Sequence, residues 1–159
     1  MSETVVSSGV VSSGLTLTTG EYLAVQSGGS AVSITISSVY GYTEAWVYAG
    51  GTAIGTALQA NAALSDSGLT IGTTVADSST EFVASAGVAS GTVVSSGGEL
   101  DVARGGEVVS TIVSSGGFSI MDVFSEVCST SFPSASLSAT TGTMAGGRAA
   151  QCPLYTRFC

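Results

Sequence analysis

The chain has 159 residues and a formal net charge of −8, with 9% charged and 44% hydrophobic residues. Soluble domains average roughly 25% charge, and disordered chains are apolar-poor and charge-rich, so the composition fits neither. Only three residues are Lys or Arg (Arg104, Arg148, Arg157) and none is His. That argues against nucleic acid and anionic membrane surfaces as partners, since both need clustered basic side chains.

The N-terminus, "MSETVVSSGV", lacks the basic start and apolar core of a signal peptide. No later run approaches the ~18 apolar residues of a transmembrane helix, so neither an export signal nor a membrane segment is expected in this chain. A fragmentary repeat, "VVSSGVVSSGLTLTTG", runs from Val5 to Gly20. Five copies follow, each with a glycine at a turn: Gly29, Gly51, Gly68, Gly87 and Gly106, spaced by 22, 17, 19 and 19 residues. Another copy begins at "TIVSSGG", Thr111 to Gly117.

Aligned on these glycines, the copies form columns. Four residues before the anchor stand Val25, Val47, Leu64, Val83 and Val102, apolar every time. Five before it stand Ala24, Trp46, Ala63, Phe82 and Asp101, which share no polarity. Three after it stand Val32, Ile54, Ile71, Ser90 and Val109, and five after it Ile34, Thr56, Thr73, Thr92 and Thr111. Within "ELDV", Glu99 and Asp101 alternate with Leu100 and Val102, the period of a strand. Glycine supplies the positive φ that tight corners need, and helix is not expected among β-branched residues punctuated by Gly.

One copy cannot bury its apolar side alone, but stacked copies can, with equivalent residues about 4.8 Å apart. The pattern predicts an all-β solenoid, a right-handed parallel β-helix of about 19-residue rungs, over residues 1–117. A β-sandwich is disfavoured because its strands differ in sequence and these copies do not. After Gly117 the register of the repeat is expected to fail: Phe118 stands where Glu99 stood and Ser119 where Leu100 stood. Residues 118–159 read as a non-repeat tail, either a cap for the open last rung or a segment foreign to the repeat. All three cysteines (Cys128, Cys152, Cys159) lie there without metal-ligand spacing and read as incidental thiols.

The phrases "VVSSGGELDV", "GGTAIGT" and "EYLAVQSGGSAVS" resemble the 19-residue passenger repeats of AIDA-type autotransporter adhesins, surface proteins of Gram-negative bacteria. The resemblance covers Val5 to Gly117. It implies a cell-surface β-helical stalk, here a truncated piece, that acts in cell–cell aggregation, adhesion or biofilm formation. Its implied partners are other copies or other cell-surface molecules, with no small-molecule substrate. It also implies O-glycosylation of passenger Ser and Thr, for which Ser95, Ser96, Ser114 and Ser115 are the candidates; as plain turn residues they need no such role.

Chemistry is sparse. Glu99 and Asp101 share a strand face with Arg104 following, the residue types of an acid/base pair, but their column neighbours are Glu44, Trp46, Thr80 and Phe82. No carboxylate column results, and the chain is expected not to be an enzyme and to use no cofactor or metal. A polysaccharide-active β-helix enzyme is the alternative. A second is an ice-binding solenoid, since Thr56, Thr73, Thr92 and Thr111 form one ladder. If Val25, Val47 and Val102 point inward, then Tyr22, Trp46, Tyr48 and Phe82 point outward or sit at corners. "YGYTEAWVYAG" then forms an exposed aromatic contact surface, and the 22-residue step leaves room there for a bulged loop.

Overall fold

The computed structural model describes residues 2–121, 126–128 and 136–139. The first rung holds β1 (Ser2–Val6), β2 (Val11–Ser13) and β3 (Thr16–Leu17), and the second β4 (Glu21–Val25), β5 (Ser30–Val32) and β6 (Thr35–Ser37). The third holds β7 (Thr43–Val47), β8 (Thr52–Ile54) and β9 (Ala57–Gln59), and the fourth β10 (Ala62–Asp66), β11 (Leu69–Ile71) and β12 (Thr74–Val75). The fifth holds β13 (Thr80–Val83), β14 (Val88–Ser90) and β15 (Val93–Val94), and the sixth β16 (Glu99–Val102), β17 (Glu107–Val109) and β18 (Ile112–Val113). Then come β19 (Phe118–Met121), β20 (Glu126–Cys128) and β21 (Ser136–Ala139).

Every third strand up to β20 pairs in parallel, and β21 pairs with β19, which makes three sheets that wrap one core: β1 through β19 to β21, β2 to β20, and β3 to β18. The expected parallel solenoid is what forms. The expected loss of register after Gly117 does not occur at Phe118–Met121; the change there is one of residue type rather than of pairing. Phe118 pairs with Glu99 and Ser119 with Leu100, as the repeat places them, while Glu126–Cys128 continues the second sheet. Cys152, Cys159, both prolines, Arg148 and Arg157 lie outside the described residues.

Two departures from the 19-residue period have separate causes. The step of 22 comes from three extra residues at the corner between β6 and β7, which contains Val39, Tyr40 and Tyr42. The step of 17 comes from the corner between β10 and β11, where Ser67 and Gly68 do the work of four residues, such as Tyr48–Gly51, elsewhere. That shortening corrects two columns. The residue in register with Val47 and Val83 is Asp66, not Leu64, and the partner of Trp46 and Phe82 is Ser65, not Ala63.

The anchor glycines are required for a reason other than positive φ. The residue before the anchor takes the left-handed conformation in most of these corners, as at Gly50 (φ +78°) and Ala86 (φ +66°). The anchor itself lies against the rung beneath: a Cβ on Gly87 would come within 2.3 Å of the Asp66 carbonyl oxygen, and one on Gly51 within 2.6 Å of that of Val25. In the first rung Val10 occupies the equivalent place, where no described rung lies beneath it.

Between the second and third sheets the chain turns on one left-handed residue. It is glycine at Gly55, Gly72 and Gly91 but serine at Ser33 and Ser110, both with φ +54°. A left-handed non-glycine residue costs roughly 1–2 kcal/mol. Ser110→Gly is therefore expected to stabilise the chain by about 0.5 kcal/mol, after the larger backbone entropy of glycine is subtracted, as a small rise in the urea midpoint would show.

Side chains alternate between core and surface. The first sheet sends in two columns, Val6, Val25, Val47, Val83 and Val102 beside Leu23, Ala45, Leu64 and Leu100. The second contributes Ala31, Ala53, Ala89 and Val108, and the third Leu17, Ile36, Leu58, Val75, Val94 and Val113. Each fully buried Val, Leu or Ile stabilises by about 1.5–3 kcal/mol, and none is buried until its rung is stacked. Small alanines in the second sheet let it approach the bulky columns of the other two.

Candidate functional site

The outward side of the first sheet carries two columns. One reads Glu3, Tyr22, Glu44, Ala63, Thr80, Glu99 and Phe118; the other reads Val5, Ala24, Trp46, Ser65, Phe82, Asp101 and Ile120. Tyr22 and Trp46 are diagonal neighbours, and their rings stack with centroids 5.5 Å apart at 11°. Parallel aromatic pairs at this separation contribute about 0.5–1.5 kcal/mol beyond burial. Ala24, though on the outward side between them, is only 3% exposed. Ser2, Glu3, Tyr22 and Trp46 line a shallow cleft. Glu44 borders the pair: partial burial raises its pKa, and a hydrogen bond from Trp46 opposes that rise.

Along the third rung the aromatic band extends to both corners. Tyr48 lies past the end of β7 and is 50% exposed; before β7 stand Tyr40, 85% exposed, and Tyr42. The bulged corner is tied down where Tyr40 N donates to Thr19 Oγ1 at 3.3 Å and Thr43 Oγ1 to the Thr18 carbonyl at 3.0 Å. Tyr22, Trp46 and Tyr48 are thus brought onto one stretch of surface. Phe82 is outward and 38% exposed, but Ser65 separates it from Trp46 in the column, so it stands apart. The serines of the repeated "VSSGG" phrase sit at the corner between the third and first sheets. Ser96 and Ser115 are exposed, and Ser95 and Ser114 are half-buried.

The threonine ladder faces inward. Thr56, Thr73, Thr92 and Thr111 are all at most 2% exposed, so they cannot meet an ice lattice, and that alternative loses the feature that motivated it. On the outer face Glu99 and Asp101 are flanked by Thr80, Phe82, Phe118 and Ile120. Among the described residues no group of three or more His, Cys, Asp or Glu could hold a metal ion.

Two rungs of the core hold a buried acidic pair that columns counted from the glycines conceal. Asp66 stands in the valine column of the first sheet and Glu81 in the leucine column, both 0% exposed. Thr70, in the alanine column of the second sheet, lies between them. Its Oγ1 donates to Glu81 Oε1 at 2.8 Å and contacts Asp66 Oδ2 at 3.3 Å, while Thr92 Oγ1 donates to Glu81 Oε2 at 3.0 Å. Thr73 is turned toward Glu81 without a hydrogen bond of good geometry. The shortened corner explains the aspartate. Other anchor glycines donate N–H to a backbone carbonyl three residues back, as Gly51 does to Tyr48 and Gly87 to Ala84. Gly68 donates to Asp66 Oδ1 at 2.9 Å instead, so a side chain replaces a carbonyl that the deletion removed. Desolvation pushes Asp66 up to about 7, reinforced by the facing Glu81 and opposed by the hydrogen bonds from Gly68 and Thr70. Desolvation likewise raises Glu81, against the pull of the Thr70 and Thr92 hydroxyls.

Compared with known proteins, the chain matches no family profile and no curated protein. It is similar to the crystal structure of a hyper-glycosylated TibA fragment whose modification is catalysed by TibC. The TM-score is 0.56 at 25% identity, covering 81% of this chain and 60% of that one. The chain therefore spans less than two thirds of that structure's length.

Proposed function

We propose that this chain is an adhesive repeat segment of a bacterial cell-surface autotransporter of the AIDA type, a binding scaffold rather than an enzyme. The observation that carries this reading is the parallel solenoid itself, built on the repeat phrases that resemble those passengers, together with its likeness to a glycosylated fragment of the same architecture. Stacked rungs present a long surface, suited to extended contacts with a second copy or another surface molecule. The aromatic band at Tyr22, Trp46 and Tyr48 is the contact area, because exposed apolar patches mark association sites. Ser96 and Ser115, exposed at equivalent corners of successive rungs, are the first candidates for O-glycosylation, ahead of the half-buried Ser95 and Ser114.

The test is self-association of the purified chain against a Trp46→Ser, Tyr48→Ser variant, measured by sedimentation velocity. The variant is expected to shift the monomer–oligomer equilibrium at least tenfold toward monomer, roughly the effect of losing one aromatic anchor. Undiminished association would place the contact elsewhere, for instance at a sheet edge, and would remove the aromatic band from the reading.

A further inference from the structure

We propose that the Asp66–Thr70–Glu81–Thr92 chain is a proton-dependent clasp, which holds the fourth and fifth rungs together when protonated and loosens them when both carboxyls ionise. The geometry favours a proton on the pair. A hydroxyl has one hydrogen, and Thr70 directs its own at Glu81, the nearer acceptor. The remaining contact, to Asp66 Oδ2 at 3.3 Å, is satisfied when that oxygen is protonated and donates back to Thr70. Asp66 Oδ1 meanwhile accepts from Gly68 N, so each oxygen has a defined part. The order Asp66–OH to Thr70 to Glu81, with Thr92 donating from the far side, leaves both carboxyl groups hydrogen-bonded with one negative charge between them.

Among the described residues nothing buried beside the pair offsets a second charge. Asp66 faces Val47 on β7 and Val83 on β13; Glu81 faces Leu64 on β10 and Leu100 on β16. Thr70 lies between Ala53 on β8 and Ala89 on β14, and Val75 on β12 and Val94 on β15 close the third side. Among the described residues no other titratable side chain is buried. Glu44, Thr80, Glu99 and Asp101 lie on the outward side of the same sheet, and Asp77 sits at an exposed corner. Two carboxylates at this range in a dry interior repel, and neither is free to reach water without opening the rungs.

The sign follows from linkage. Both groups hold protons more tightly folded than unfolded. Their contribution is complete below the unfolded carboxylate range near pH 4 and is lost as pH rises through the folded values, about 7 for Asp66. Each proton makes the folding constant fall about tenfold per pH unit across that window.

The experiment is urea unfolding of the purified full chain from pH 4.5 to 8.5, beside an Asp66→Asn, Glu81→Gln variant, which keeps hydrogen-bonding groups but cannot ionise. The surface carboxylates are common to both, so the difference in slope belongs to the pair. The wild-type folding constant is expected to fall at least a hundredfold more than that of the variant between pH 4.5 and 7.5. Equal slopes would overturn the proposal. Should the variant fail to fold, infrared spectra of the folded wild type in heavy water decide it. A neutral carboxyl C=O band persisting at pH 6 supports the clasp, and its absence refutes it. Stabilisation by added calcium in place of acid would mean that the carboxylates hold a cation, which also refutes it.

Discussion

Gly87→Ala is expected to destabilise the solenoid by about 3 kcal/mol, whereas Ala86→Gly, one residue earlier, is expected to stabilise it by about 1 kcal/mol. Both residues belong to one corner, but different causes act on them. Ala86 holds φ at +66°, a conformation a Cβ resists, and glycine would relieve it. Gly87 has no such backbone strain. Its missing Cβ leaves room for the rung beneath, whose Asp66 carbonyl oxygen would lie 2.3 Å and carbonyl carbon 3.0 Å from the added atom. Backbone cannot swing aside as a flexible side chain can, so the rungs must part locally. Parting them also breaks the bonds from Ala84 N to the Asp66 carbonyl and from Val88 N to the Gly68 carbonyl. Urea unfolding of both variants at one pH checks the pair. Equal and small effects would show that the corner backbone relaxes freely, and that the recurring anchor glycine is not held in place by rung-to-rung contact.

This distinction marks where the sequence was readable. Strand period, parallel stacking and the inward valines all followed from columns such as Val83 and Val102, because a 19-residue step keeps every position in register. The outward placement of Tyr22, Trp46 and Phe82 followed from the same alternation. The alignment failed at one rung, where two corner residues are missing. Counting back from Gly68 put Leu64 in the valine column and concealed Asp66, since a deletion after a strand shifts everything measured across it. Glu81 was legible in principle: if Val83 lies over Val102, then Glu81 lies over Leu100, a charge in an apolar column. The inward turn of the threonine ladder was hidden for another reason. Threonine suits both surface and core, and which side it takes depends on the single left-handed residue before it at each corner. The stacking of Tyr22 on Trp46 depends on a diagonal step between rungs, which column alignment does not display.

The second large effect is expected from restoring the columns around the acidic pair. Asp66→Val, Thr70→Ala and Glu81→Leu together reproduce the residues above and below each position: Val47 and Val83, Ala53 and Ala89, Leu64 and Leu100. Replacing a buried charged network with packed apolar groups is commonly neutral or stabilising by about 1–4 kcal/mol, and here the balance should depend on pH. Raising Asp66 from 3.8 to about 7 corresponds to about 4 kcal/mol of stability lost between acid and neutral pH, at 1.36 kcal/mol per unit. The triple variant has nothing to titrate there, so it should gain about 3 kcal/mol over wild type at pH 8. At pH 4.5 the pair is protonated and hydrogen-bonded, and the variant gives up the Gly68 N–H bond to Asp66, worth about 1 kcal/mol. The two stability curves should therefore approach one another, or cross, toward acid. Urea unfolding at pH 4.5, 6 and 8 measures this directly. A variant less stable than wild type by the same amount at all three values would mean that the carboxyls are structural fasteners indifferent to their protons. A gain confined to neutral and alkaline pH would mean that this solenoid gives up stability there to keep two titratable groups inside its core.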